Sequence, residues 1–293
     1  MGFRTVVIKS RAKLEVRLNS LIIRGEQEKK IFLDEINTLI IQSTAVSLTA
    51  SLLCELMKNN VKVIFCDEKH NPQSELLPYY GAHNTSKRYK EQIAWDGEAK
   101  AAVWREIIKK KIEGEAALLD ELGFMRQAEL LRSYVSQVQE NDSTNREGHA
   151  AKVYFNCLLG AGNSRKGGGF FNSCLNYGYA ILLSAFNREI VASGFLTQLG
   201  IWHDNEFNQF NLACDLMEPF RVVVDKTALA IEEGDKNFKR IMANILNYKT
   251  LMDGKNTTFD LALRQFARSV FRALEQSDEA QIIFPQKILG YEL

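Results

Sequence analysis

Proline is scarce in this chain, with four residues in 293. Two of them, Pro72 and Pro78, fall in the stretch 71–95, so an interdomain linker is expected there, at 76–95. The five cysteines (Cys54, Cys66, Cys157, Cys174 and Cys214) form no C-x-x-C pair. That excludes a paired-thiol zinc site and a disulfide framework, and fits the reduced thiols of a cytoplasmic protein. No run of 18 uncharged apolar residues offers a membrane span, and MGFRTVVIKSR has no apolar signal core. MG is followed by FRTV, which lacks the Ser or Thr expected for myristoylation. Charge of one sign is also in short supply. The net charge is +1, so no overall basic excess announces nucleic acid. Any anion-binding surface must come from local clusters such as Lys109-Lys110-Lys111 or Arg165-Lys166. There are no internal repeats. Gly167-Gly168-Gly169 follows no strand and lacks the spacing of a phosphate-binding loop.

What is present divides into two kinds of pattern. RTVVIKS, then KLEVRL and LIIRG joined at Asn19-Ser20, then IFLDEINTLIIQS read as β-strands, the middle pair as a hairpin. LTASLLCELMKNN reads as an amphipathic helix ending at Asn59-Asn60, and VKVIFCD as a buried strand. From Asp96 onward the period turns helical, with helices expected over GEAKAAVWREIIKKKIEGEAALLDEL, MRQAELLRSYVSQVQE, the segment from Glu147, and roughly 172–199, 215–233 and 258–276. The expected fold class is α+β: a small β-rich N-terminal domain (1–75), a linker (76–95) and a larger all-α domain (96–293).

Three segments carry more chemistry than a helical domain needs. In STNREGHAAKVYFNCL, Glu147 leads an apolar stripe through Ala151, Tyr154, Phe155 and Leu158. A carboxylate on such a face needs a partner, either a basic side chain or a cation. His149, two residues on, points to nearly the opposite side of the helix. In GIWHDNEFNQFN, His203 is either a core histidine or a ligand. In CDLMEPFRVVVDK, Asp215 and Glu218 lie three apart on one face, with Pro219 next. Asp215-x-x-Glu218 has the form of a capping box at a helix start, a role that suits Asp215 better than Glu218. Two carboxylates and an imidazole suit Mg²⁺ or Mn²⁺. A di-iron bundle is excluded, since neither His149 nor His203 lies three residues after a Glu. The Lys109–Lys111 run reads first as a solvated helix face.

NREGHAAKVYFN, NSCLNYGYAILLSAFNREIVASGFLTQLGIWHDNEFNQFN and CDLMEPFRVVVDK, with GFRTVVI, VIFCDEKHNP and LLPYYG before them, resemble the CRISPR-associated spacer-acquisition integrase family, Cas one, in its type II form. Carried over, that resemblance implies a metal-binding catalytic triad of Glu147, His203 and Glu218, with Asp215 at a neighbouring acidic position. Val222 stands where the family commonly has Pro after D-L-M-E-x-F-R. The resemblance further implies a homodimer joined through its N-terminal half, double-stranded DNA as ligand and a smaller Cas two partner. It extends to docking of the large RNA-guided nuclease. The implied reaction is metal-dependent insertion of short DNA fragments (spacers) into a CRISPR array by attack of a 3′-OH, with endonuclease activity at the same site. Arg146, Lys109 to Lys111, Arg165 and Lys166 are the candidate DNA contacts. A non-catalytic DNA-binding scaffold is the alternative, and the intact Glu, His, Glu set argues against it.

Overall fold

A computed structural model describes residue 2 and residues 4–78, 82–160 and 167–290. The chain divides into two compact units, 1–81 and 82–293. That boundary falls inside the expected linker. Arg165 and Lys166, and Tyr79 to Gly81 of the LLPYYG motif, lie outside the described residues.

The first unit is built of β1 (Arg4–Ile8), β2 (Ala12–Arg17), β3 (Ser20–Arg24), β4 (Glu28–Phe32), β5 (Ile36–Ile41), β6 (Val46–Leu48), α1 (Ala50–Lys58), β7 (Lys62–Cys66) and β8 (Pro72–Leu76). One sheet has the order β1-β5-β7-β8, parallel except for β8, and the other the order β4-β3-β2-β6. INTLII is buried at every position because β5 lies inside its sheet, flanked by β1 and β7. Leu14, Leu21, Leu39, Leu52, Leu56 and Val63 form the centre of the core. The β2–β3 turn sits one residue earlier than its Asn-Ser pair suggests. Arg17 pairs with Ser20, leaving Leu18 and Asn19 as the loop at φ 44° and 53°. Ser20 is buried and its hydroxyl bonds the Leu18 carbonyl, so it starts the strand instead of turning it. Thr49 caps α1, which ends at the Asn59-Asn60 pair as expected from the sequence, with Asn60 at φ 55°.

The second unit comprises α2 (Thr85–Ile93), α3 (Gly97–Glu121), α4 (Met125–Val135), α5 (Arg146–Leu159), α6 (Phe170–Ala192), α7 (Asn211–Met217), α8 (Arg221–Leu229), α9 (Phe238–Ala243), β9 (Lys249–Met252), β10 (Lys255–Thr258), α10 (Phe259–Gln276) and β11 (Lys287–Gly290). It is mostly helical, but it also carries a three-stranded antiparallel sheet of order β10-β9-β11, which helical periodicity alone does not reveal. Helix α2, inside the expected linker, belongs to this unit. The Gln92 amide donates to the Leu196 and Leu199 carbonyls at 2.9 Å and accepts from the Leu196 N–H at 2.8 Å.

Helix α3 begins where the sequence places it. Asp96 Oδ2 accepts the N–H groups of Glu98 and Ala99, both at 3.0 Å. Helix α4 stops five residues short of the expected end. Asn141 and Asp142 then turn the chain at positive φ towards α5. Gly178 on α6 is required by close packing: a Cβ there would overlap Val224 of α8 and reach 3.0 Å from the Met242 sulfur. The long helix expected over 215–233 is broken. Pro219 has no N–H, and a 3-10 turn at Glu218–Phe220 separates α7 from α8. Asp215 is therefore inside α7 and caps no helix.

Candidate active site

The sequence-nominated residues reach one region by four different routes. Helix α3 presents Trp104, Ile107, Ile108, Lys111, Ile112 and Glu115 on its buried face. Lys111 is thus not part of a solvated run. Its neighbours Lys109 and Lys110 are, pairing with Glu106 at 2.9 Å and Glu113 at 3.1 Å. The loop before α5 delivers Glu147. Both carboxylate oxygens of Asp142 accept backbone N–H groups, from Arg146 at 2.8 Å and Glu147 at 2.9 Å, so the helix start is held from outside the helix. The 3-10 turn after α7 delivers Glu218, whose side chain is only 6% exposed.

Lys111 joins the two glutamates. Its ammonium donates to Glu147 Oε1 and, at 2.6 Å, to Glu218 Oε2. The other Glu218 oxygen accepts Arg221 Nε and lies 2.9 Å from Arg221 Nη2. Burial would raise the Glu218 carboxyl, but Lys111 and Arg221 outweigh it and hold it down at about 2. Burial would likewise lower the Lys111 ammonium. Glu218, Glu115 and Glu147 outweigh that and raise it above the usual lysine value. Glu115, one turn along α3, has the opposite fate. Burial pushes its carboxyl up to about 8 against the pull of Lys111, and its Oε2 has no hydrogen-bond partner.

His203 arrives on a loop that Asp215 organises from within. The fully buried Asp215 carboxylate accepts three backbone N–H groups: Ile201 and Trp202 on Oδ2, at 2.6 and 3.1 Å, and His203 on Oδ1 at 3.1 Å. Oδ1 also lies 2.6 Å from His203 Nδ1. An ionised carboxylate can only accept, so Nδ1–H donates and Nε2 is the nitrogen left for other partners. The hydrogen bond to Asp215 raises the His203 imidazole above its ordinary value, with Glu218 adding to the effect. Gly200 makes the tight loop possible, because a Cβ there would overlap the His203 carbonyl and sit 2.7 Å from Asp215 Oδ2. Trp104 meets the His203 ring edge-on at 5.7 Å and stacks on Trp202 at 5.8 Å.

Deeper in the unit, Asp225 of α8 accepts the hydroxyls of Tyr154 (2.8 Å) and Tyr179, tying α5, α6 and α8 together behind the site. Tyr154 is one of the stripe residues that follow Glu147.

The structure therefore brings Glu147 and Glu218 onto one ammonium and sets His203 close enough to feel the charge of Glu218. His149 is exposed and stays outside the cluster. Among the described residues, no group of three or more His, Cys, Asp or Glu side chains stands ready to hold a metal ion. Lys111 occupies the place between the carboxylates. Arg146, the basic residue nearest Glu147 in sequence, is half-buried and folds over the Tyr134 ring at 5.3 Å. Lys111 and Glu115 were legible by the same test that singled out Glu147, since both continue the apolar stripe of α3 at i+3 and i+4 spacing. Arg221 carried no such signal.

No helix among the described residues is long and apolar enough to cross a membrane. Residues 5–244 match the family model described as CRISPR associated protein Cas1. The chain is 30% identical over 294 residues to the CRISPR-associated endonuclease Cas1 of Neisseria meningitidis serogroup C (strain 8013), covering 98% of this chain and 97% of that one. Among solved structures it resembles a casposase bound to integration product, at 22% identity and TM-score 0.77 over 100% of this chain and 95% of that one. It also resembles part of a Cas6-RT-Cas1–Cas2 complex, at 19% identity and TM-score 0.72. There it covers 95% of this chain but spans only 36% of the longer one. The chain belongs to the Cas1 family of CRISPR-associated proteins.

Proposed function

We propose that this protein is a metal-dependent DNA integrase and endonuclease of CRISPR adaptation, with Glu147, His203 and Glu218 as its catalytic set. One observation carries the reading: two carboxylates 71 residues apart in the chain converge on a single cationic point, and the charge of one of them, Glu218, acts on an imidazole whose other nitrogen is already committed. A relative named as an endonuclease over nearly its whole length supports it, as does a fold shared with an integrating casposase.

The donor set fits a divalent cation. Glu147 and Glu218 offer oxygens already arranged around a positive charge, and His203 offers Nε2 with its ring held by Asp215. Mg²⁺ or Mn²⁺ suits oxygens joined by one imidazole. Bound there, such an ion supplies Lewis-acid stabilisation of charge on the scissile phosphoryl group. The chain's own residues do the rest. Asp215 fixes the imidazole and Arg221 fixes the orientation of Glu218, which lowers the cost of organising the site at the moment of reaction. In integration, the 3′-OH of an incoming fragment attacks a phosphodiester of the repeat, and the displaced 3′-OH of the target leaves. With water as the attacking group the outcome is cleavage.

The reading includes double-stranded DNA as ligand, a Cas2 partner and a homodimer joined through the β-rich unit. Strand transfer of a fragment with a free 3′-OH into a repeat-containing duplex tests it, using the purified protein with its Cas2 partner and Mg²⁺ or Mn²⁺. Glu147→Ala, His203→Ala and Glu218→Ala are each expected to abolish transfer while the protein stays folded. Full integration by any one of the three removes that residue from the assignment.

A further inference from the structure

We propose that Lys111 is a resident counter-cation of this site: its ammonium holds Glu147 and Glu218 together in the metal-free protein and must be displaced when a divalent cation binds. The inference deepens the proposed function and rests on Glu147 and Glu218 being metal ligands.

Geometry carries it. Lys111 is 8% exposed, on the buried face of α3, and donates to one oxygen of each glutamate. The ammonium and a divalent ion therefore compete for the same lone pairs. The contact is a built one. A lysine loses about 2 kcal/mol of rotamer freedom when fixed and a further penalty on desolvation, and neither is offset unless charged partners are close. Without a cation between them, the half-buried Glu147 and the buried Glu218 would repel each other. Lys111 removes that repulsion, and Arg221 covers the remaining Glu218 oxygen.

The displaced side chain has somewhere to go. Glu115 lies four residues on along the same helix, 4% exposed, with Oε2 unpartnered. Residues at i and i+4 are neighbours on a helix face, so a rotamer change suffices to carry the ammonium from the ligand pair to Glu115. The move stays within one face of α3.

Direct metal binding to the whole, metal-free protein tests this without any catalytic readout. Mn²⁺ is titrated against wild type, Lys111→Met and Glu218→Gln, and free Mn²⁺ is read by electron paramagnetic resonance. Lys111→Met keeps the stem's bulk and removes the competitor, so Mn²⁺ is expected to bind at least tenfold more tightly than in wild type. Its melting temperature is also expected to gain more from Mn²⁺. Equal or weaker binding by a folded Lys111→Met overturns the inference and leaves the ligand assignment standing. Absence of any Mn²⁺ binding that Glu218→Gln removes, in wild type and Lys111→Met alike, overturns both. Should Lys111→Met fail to fold, the wild-type protein labelled with ¹⁵N-lysine serves instead. A protected ammonium signal that Glu147→Gln removes belongs to Lys111, and it is expected to vanish as diamagnetic Mg²⁺ saturates the site. Its persistence at saturation refutes the displacement.

Discussion

Glu115→Gln should make the protein more stable, and increasingly so as pH rises. Glu115 is buried beside Lys111, and its carboxyl is pushed up to about 8 from an ordinary value of 4.5. Between those two values the folded chain holds a proton that the unfolded chain has released. Stability then falls with rising pH by about 1.4 kcal/mol per pH unit, because the native state binds the extra proton. Below pH 4.5 the group costs nothing. From 4.5 to 7 is 2.5 pH units, which gives a penalty of about 3 kcal/mol at pH 7 and about 5 kcal/mol above pH 8. Glutamine matches the shape of the protonated acid and cannot ionise, so the variant escapes the slope. Urea unfolding of both proteins at pH 5, 6, 7 and 8 measures the difference, in which every other titrating group cancels. The gap is expected to widen with pH. A gap independent of pH would mean that native Glu115 is ionised and paired with Lys111, and the reasoning would fail.

Asp215→Asn replaces a pure acceptor with a half-donor facing N–H groups that then go unpaired. It is expected to lower stability by about 1–3 kcal/mol in thermal unfolding. By releasing the His203 ring it should also weaken metal affinity by roughly 10–100-fold, measured by Mn²⁺ titration. Gly200→Ala drives a Cβ into the His203 carbonyl and the Asp215 carboxylate, so strand transfer should be lost while helical circular dichroism is retained. In the first unit, Leu18→Asn relieves a left-handed backbone at an 89%-exposed leucine and should stabilise that unit by about 1 kcal/mol in denaturant titration.

Alternating runs located β2 and β3, while β-branched or apolar runs located β1, β5 and β7. They missed β6 and β8, which are short or polar edge strands with little apolar signal. The hairpin turn moved by one residue because strand pairing put Ser20 in the buried register, which outweighed its turn propensity. In the second unit the long helices were legible, and the break at Pro219 was not. Proline is equally at home in a first helical turn and at an interruption, and only the packing of α7 against α6 chooses. The site divides along the same line. Glu147 could be recognised as misplaced on its apolar stripe, but its observed partner is a lysine 36 residues earlier, which no local pattern predicts. His203 and Glu218 stood out in their own segments, and the resemblance to the family implied that they join Glu147 in one triad. Asp215 has the spacing of a cap but holds a loop together from inside a helix, a role set by tertiary contact alone.

The distance along the chain between Lys111 and Glu218 has a consequence for when the proposed site can form. The two are 107 residues apart, and the carboxylate pair together with its counter-charge exists in no shorter stretch of chain. At ~5–20 residues per second, synthesis needs roughly 5–20 s to pass from one to the other. A nascent chain not yet extended past Glu218, or a fragment cut before it, therefore carries Glu147 with no partner carboxylate across from it. The proposed cation-binding pair is thereby denied to copies that end before Glu218.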